Sequence, residues 1–517
     1  MMFVHRNGSV LTSSARTPIF VGGFLLTSLL AACSDSHTTG SSPTGADPSP
    51  LRLAAGAAMS TGHRQLSGHL TPQIKSTTVI GRVEPSKTLT LTLGLGVKDP
   101  AGLETAVAQI SDPRSPSYRT YVRPEEFADR YGAVSADYQK VLDWATSNNL
   151  TIATHRNRLA VEASGSVADI ESALHVRMQY RLRPDGSQFY APDVEPSVDV
   201  GVPLEHVSHM QNYAVSQRAT GGGGSGPGGS RTGADFRHAY ASCTPLEGAG
   251  QSIGIYMYAD DGFLPIDVTN YFTYTSMNTF PSPLPVSVVG SPITAAGGEG
   301  DTDVQLPLSM APGAQVIAFT GGTTSDPAPD TILNNMADSP WVKQLSSSYF
   351  LDGSGYDSIG LAAIAQFALQ GQSFFQASGD SPGSPGCYWT TNTGDVRFPP
   401  ALTIVGGTAL NMTGSPPATV YDTEFPWYNS STSGSFGGVE CFQDGGGIGI
   451  PSYQVGLANS TNQASTAYRN FPDVAAEGAN IAVFVNGSSS LSTWQGTSAS
   501  APGNAPLPVE FGIAATA

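Results

Sequence analysis

The chain has 517 residues, a formal net charge of −17 and only 13% charged side chains, which is enough length for two or three domains with sizeable cores. The charge is unevenly spread: from Thr232 onward 22 Asp and Glu face only Arg237, Lys343, Arg397 and Arg469, and the part before is close to neutral. So acidic a second half argues against nucleic acid as a partner, because phosphates would be repelled, and a chain with few ion pairs loses few when carboxylates protonate, which suits an acidic medium.

At the N-terminus, Arg6 and Arg16 precede an apolar stretch over 18–30 that is short for a membrane span and reads as an export signal. It closes on Leu30-Ala31-Ala32-Cys33, which resembles the lipobox of bacterial lipoproteins. That resemblance implies a signal peptide over 1–32, a lipid anchor on Cys33, and a place at the outer membrane or cell surface; the plain alternative is an ordinary signal peptide with Cys33 incidental. Residues 33–65, rich in Ser, Thr, Gly, Pro and Ala, read as a flexible tether.

A first folded segment is expected over 66–217. Strands are predicted at 89–95, 150–154, 159–163 and 178–182, and helices at 102–110, 135–147 and 166–174. Short strands mixed with helices suggest an α+β sandwich. The glycine-rich run within 218–231 then reads as an open linker and a processing site, or as a plain spacer. From 232 onward apolar runs at 252–258, 315–319, 344–348, 373–377 and 402–405 have the composition of buried parallel strands. Helical patterns at 301–310, 329–336 and 357–369 alternate with them, the rhythm of an α/β doubly wound parallel sheet. Cys243, Cys387 and Cys441 follow the export segment, an odd number that leaves three possible pairings open, and no Cys/His cluster has zinc spacing.

The best nucleophile candidate is Ser498, in Gly496-Thr497-Ser498-Ala499-Ser500-Ala501-Pro502. All nine histidines lie at or before His238, so the base that a serine hydroxyl needs is expected to be a carboxylate. Glu299 and Asp303 stand at i and i+4 of a predicted helix, close enough to share a proton; acids also gather at helix N-termini simply to complement the dipole. Asp301 is off that shared face. Ser378-Gly379-Asp380 follows the strand ending at Ala377, where sites assemble in parallel α/β sheets, although glycine-flanked acids there are often only turns. A helix starting at Ser498 would aim its amide at a developing oxyanion.

In this order, Glu-x-x-x-Asp, Ser-Gly-Asp and Gly-Thr-Ser-Ala-Ser-Ala-Pro resemble the sedolisins, or serine-carboxyl peptidases. Ser309-Met310-Ala311-Pro312-Gly313-Ala314, Val405-Gly406-Gly407-Thr408 and Phe471-Pro472-Asp473-Val474-Ala475 are similar to that family too. In the first segment, Ser115-Pro116-Ser117-Tyr118-Arg119-Thr120-Tyr121 and Glu125-Glu126-Phe127-Ala128 resemble its activation prodomain. The resemblance covers about residues 66–502. It implies a subtilisin-like catalytic domain over 232–517 behind a ferredoxin-like prodomain that acts as an intramolecular inhibitor, and protein or peptide substrates cleaved in acid. By position, Ser498 is implied as nucleophile, Glu299 as base, Asp303 as its partner, and protonated Asp380 as oxyanion donor. After Ala501-Pro502 the pattern breaks: Pro506 and Pro508 oppose a continuing helix. The catalytic domain is therefore expected to be truncated after about 502, without the segment that binds Ca2+ in full-length members and hence without a metal. The alternative to an active zymogen is a catalytically inactive surface lipoprotein.

Overall fold

The computed structural model describes residues 62–506 except 71, 184–185, 214–225, 243–246, 276–283, 297, 325, 350–357, 383–398, 415–419, 431–432, 440–448, 460–461 and 463. The expectations for the export signal, Cys33, most of the tether and hinge, the other three cysteines and everything past 506 fall outside the described residues. Within them the tether ends earlier than expected. His63–Gln65 is a strand paired antiparallel with Ser197–Asp199, and the Arg64 guanidinium donates to the Leu204 carbonyl.

The first body is built from β1 (Thr88–Leu95), α1 (Pro100–Ser111), α2 (Ser135–Ser147), β2 (Thr151–Thr154), β3 (Ala160–Ser166), α3 (Val167–Leu174) and β4 (Leu204–Ser208). Its four-stranded sheet runs β2-β3-β1-β4 with every neighbour antiparallel, so the chain makes two split crossovers, each with at least one helix, and Thr78–Arg82, Met178–Leu182 and Gln188–Pro192 form a further, three-stranded sheet. Local chemistry sets the helix starts. Asp99 Oδ1 accepts the Gly102 amide at 2.9 Å ahead of Pro100, and Ser166 Oγ accepts the Asp169 amide at 3.2 Å. In β1, Leu89 and Leu91 are buried while Thr88 and Thr90 are exposed. Beyond Leu91 the alternation stops because the strand is covered on both faces. At Gly94 a Cβ would stand 2.5 Å from Ile359 of the second body.

The second body centres on a mostly parallel sheet. Its strands are β5 (Ser252–Met257), β6 (Val286–Gly290), β7 (Gln315–Thr320), β8 (Gln344–Ser347), β9 (Ser373–Ala377), β10 (Leu402–Thr413), β11 (Val420–Pro426) and β12 (Val474–Glu477). The order is β6-β7-β5-β8-β9-β10-β11, with β12 also pairing β10. All pairs are parallel except β10 with β11. Among its helices are α4 (Glu299–Met310), α5 (Pro329–Ala337), α6 (Ser358–Gln370) and α7 (Thr497–Asn504), besides those at Gly233–Tyr240 and Pro265–Tyr274. After β5 the chain winds outward to β6 and β7, then crosses back to β8; the ends of β5 and β8 therefore flank the topological switch where ligands collect in such sheets.

Helix α6 is apolar almost all round because it has no solvent face. Ala362, Ala365 and Leu369 share a core cluster with Leu103, Ile110, Val122, Phe127, Tyr131 and Leu159 of the first body. Polar groups fix the register of this seam: Val122 N–H donates to the Leu369 carbonyl at 2.8 Å, and buried Asn157 donates to Asn334 Oδ1 at 2.6 Å. His155 lies 3.2 Å from Glu162 and 3.3 Å from Asp338 across the seam. Burial alone would lower its pKa, but hydrogen bonds to Asp338 and Glu162 outweigh this and raise it to about 9.

The linker is also shorter than its composition suggested. Gly226 to Arg231 packs into the second body: Ser230 and Arg231 are buried, Arg231 N–H donates to the Asn480 carbonyl at 2.7 Å, and Ala482 N–H donates back to the Arg231 carbonyl at 2.8 Å. The reason is a buried ion pair, Arg231 Nε to Glu477 at 3.4 Å. Removing one partner of such a pair strands the other charge. Arg231→Ala is expected to cost about 3–5 kcal/mol at neutral pH, read by urea unfolding. The loss should be smaller at pH 4, because burial already raises the Glu477 pKa and the stranded carboxylate takes up a proton.

Candidate active site

Ser498 is the second residue of helix α7 and is 8% exposed. The turn before it depends on Gly496, whose backbone stands at φ 146°, ψ 158°, a region that only glycine occupies readily. An ideal Cβ there would lie 2.8 Å from Ser498 Oγ and 2.8 Å from Asp380 Oδ2. The hydroxyl of one sequence-predicted residue and the carboxyl of another therefore flank the same small space.

Asp380 follows β9, as the Ser-Gly-Asp motif predicted. Its Oδ1 accepts both the Thr497 amide at 2.8 Å and the Thr497 hydroxyl at 3.0 Å, and the same hydroxyl accepts the Gly379 amide at 2.9 Å. With Oδ1 occupied as an acceptor, a proton on this acid belongs on Oδ2, the oxygen on the Ser498 side. Burial pushes the pKa of Asp380 up, against the two Thr497 hydrogen bonds, which lower it.

Helix α4 carries Glu299, Asp301 and Asp303, all buried. It starts after Gly298, at φ 88°. It packs so closely that a Cβ on Gly300 would meet the Asp261 carbonyl oxygen at 2.5 Å. Glu299 and Asp303 interact as the i, i+4 spacing predicted: burial first, then the Glu299 charge, hold the Asp303 pKa well above the carboxylate range. Asp301 turns away to another task. Its carboxyl accepts the Leu264 amide at 2.7 Å and the Asn486 amide at 3.3 Å, beside Asp267, which accepts the Gly487 amide at 2.8 Å. Burial, with Asp267 adding, raises Asp301 to about 7.

Three further residues belong to this centre. Ser348, just past β8, has its Oγ 2.5 Å from Asp303 Oδ1 and 2.6 Å from the Ser498 carbonyl oxygen. Asp261, past β5, accepts the Tyr349 hydroxyl at 2.9 Å on Oδ2, and its charge also raises Asp303. The signal that singled out Asp380, a polar residue at the carboxyl end of an apolar strand, also marks Asp261 and Ser348. Among the described residues, no group of three or more His, Cys, Asp or Glu could hold a metal ion.

The comparisons with known proteins bear on both bodies. A family model described as the pro-kumamolisin activation domain matches residues 75–208. Xanthomonalisin from Xanthomonas sp. (strain T-22) is 24% identical over 531 aligned positions, covering 88% of this chain and 61% of the relative. The chain thus carries a pro-kumamolisin-type activation domain and is similar to the sedolisins. It spans about three fifths of the length of this curated sedolisin relative. Among solved structures, Pseudomonas sedolisin, a serine-carboxyl proteinase solved with two molecules of pseudo-iodotyrostatin, is 20% identical, with a TM-score of 0.42 over 57% of this chain and 80% of that one. A cold-adapted subtilisin-like serine proteinase is 15% identical, with a TM-score of 0.29 over 52% and 77%. The α/β architecture of this chain rests on its own strand order.

Proposed function

We propose that this chain is an exported, acid-active serine endopeptidase made as a zymogen. The observation that carries the reading is the shared space above Gly496, which Ser498 Oγ and Asp380 Oδ2 both border. Ser498 Oγ adds to the carbonyl carbon of the scissile peptide while its proton passes to Glu299. The carbonyl oxygen gains charge and takes hydrogen bonds from neutral Asp380 and the Ser498 amide; an ionised Asp380 would repel it. Collapse of the intermediate breaks the C–N bond, and Glu299 returns the proton to the leaving amine. Water then releases the acyl group by the same steps. Asp303 holds Glu299 and shares its proton.

The antiparallel first body, with its two split crossovers, supports reading it as a ferredoxin-like prodomain, and its seam on α6 supports an inhibitory role in the precursor. Strong acid weakens an ion pair on the first body's side of that seam. Burial works against ionisation of Glu162, but its bonds to His155 win and lower its pKa, so its contribution is present above the ordinary glutamate range and is lost as pH falls through the lowered value. Cys33 is proposed as the lipid anchor that holds the precursor at the cell surface.

The test is an acid shift of the purified chain without residues 1–32, beside Ser498→Ala, followed by intact mass and casein hydrolysis. The expected result is a serine-dependent cut on the N-terminal side of Gly226, with hydrolysis at low pH and little at neutral. A folded wild-type chain that neither processes nor hydrolyses casein would rule the peptidase reading out.

A further inference from the structure

Ser348 has one hydroxyl hydrogen and two acceptors within reach. Its Oγ lies 2.5 Å from Asp303 Oδ1 and 2.6 Å from the carbonyl oxygen of Ser498. That carbonyl is short of a donor for a reason written in the sequence. In a helix it would accept the amide four residues on, and that residue is Pro502, which has no N–H. A buried carbonyl left this way needs another partner, and Ser348 is placed to be it.

Both contacts can be hydrogen bonds at once in only one arrangement. Asp303 carries a proton on Oδ1 and donates it to Ser348 Oγ, and Ser348 donates to the Ser498 carbonyl. When Asp303 is ionised it can only accept. The single hydroxyl hydrogen then turns to the carboxylate, the stronger acceptor, and two oxygens 2.6 Å apart are left facing each other without a proton. Burial, then the charges of Glu299 on its own helix and Asp261 beyond β5, favour the neutral form of Asp303, while the Ser348 hydrogen bond favours the ionised one; the Tyr349 phenol lies next to them, bonded to Asp261.

We propose that Ser348 is a positioning residue that couples the protonation state of Asp303 to the placement of the nucleophile: it anchors the Ser498 backbone while Asp303 is neutral and releases it when Asp303 ionises. This rests on the peptidase reading above and adds a residue to it. It supplies a second reason for activity to fade as pH rises, separate from the ionisation of Asp380.

The experiment compares wild type, Ser348→Ala and Ser348→Thr by the pH dependence of kcat and KM on a peptide substrate. Ser348→Ala is expected to lower kcat about tenfold with KM within about twofold. Its alkaline limb should move to higher pH, because ionised Asp303 has lost its donor. Ser348→Thr, which keeps the hydroxyl, restores both. A residue that only supports the fold would lower the active fraction without moving the limb, and a wild-type profile in Ser348→Ala overturns the inference. If wild type itself hydrolyses nothing, the peptidase reading fails, and the coupling is read instead from urea unfolding at pH 4 and pH 7. The cost of Ser348→Ala should then differ between the two pH values, and become equal in the Asp303→Asn background. Equal costs in both backgrounds overturn the inference.

Discussion

Replacing Gly496 with alanine is expected to reduce kcat/KM by about a thousandfold, with the protein still folded in acid. Two independent costs meet at one methyl group. The backbone at φ 146° must move, because an L-residue is strained there. The methyl would also press on Ser498 Oγ and Asp380 Oδ2 at 2.8 Å each, well inside van der Waals contact. Relief in either direction separates the attacking oxygen from the acid that stabilises the product of its attack. Because Thr497 holds Asp380 through its amide and its hydroxyl, the carboxyl cannot swing aside alone. Peptide hydrolysis at low pH, beside far-UV circular dichroism to show the fold, checks this. A variant within tenfold of wild type would mean that the turn has more freedom than its packing implies.

The second large effect concerns stability against pH, and its direction is unusual. Burial raises the pKa of Asp301 to about 7, and also raises Asp303, Asp380 and Glu477. An acid whose folded pKa lies above its unfolded value contributes stability that is full below the unfolded pKa and is lost as pH rises through the folded one. The window for Asp301 therefore opens near its ordinary value of 3.8 and closes near 7. Asp301 alone accounts for on the order of 2–4 kcal/mol across that window, and the other three act in the same sense. The urea midpoint of the unprocessed, inactive Ser498→Ala chain should fall as pH is raised from 4 to 7.5. Asp301→Asn should flatten the dependence, because asparagine cannot ionise between the Leu264 and Asn486 amides. A midpoint that climbs with pH would contradict the electrostatics described above.

How much of this was legible in the chain depended on whether the chemistry was local. Glu299 with Asp303, Asp380 after β9, and Ser498 behind Gly496 each lie in a short segment whose spacing carries its own geometry. The buried strands from β5 to β9 were legible because they are continuous apolar runs. Strand β6 was not: it is an edge with half-exposed side chains that lacks the run of a central strand. Strand β10 continues to Thr413, past Gly406 and Gly407, because β12 pairs with it over 405–408 and β11 over 408–413, and nothing local announces that. Ser348 and Asp261 matter only through contacts with helices far along the chain. The seating of Arg231 likewise depends on Glu477, which no reading of glycine content could supply.

Helix α6 has a consequence for the history of the molecule. In the precursor Ala362, Ala365 and Leu369 face apolar side chains of the first body, so the helix is interior at birth. Separation of the two bodies turns it into an outer wall, and a wall of alanine, isoleucine and leucine wets poorly. The mature body would then be the stickier of the two forms, held apart by its dearth of basic groups and its surplus of acids, a repulsion that fades as acid neutralises them. On the zymogen reading proposed above, the chain would be built in one state and used in another, and α6 is where the two demands meet.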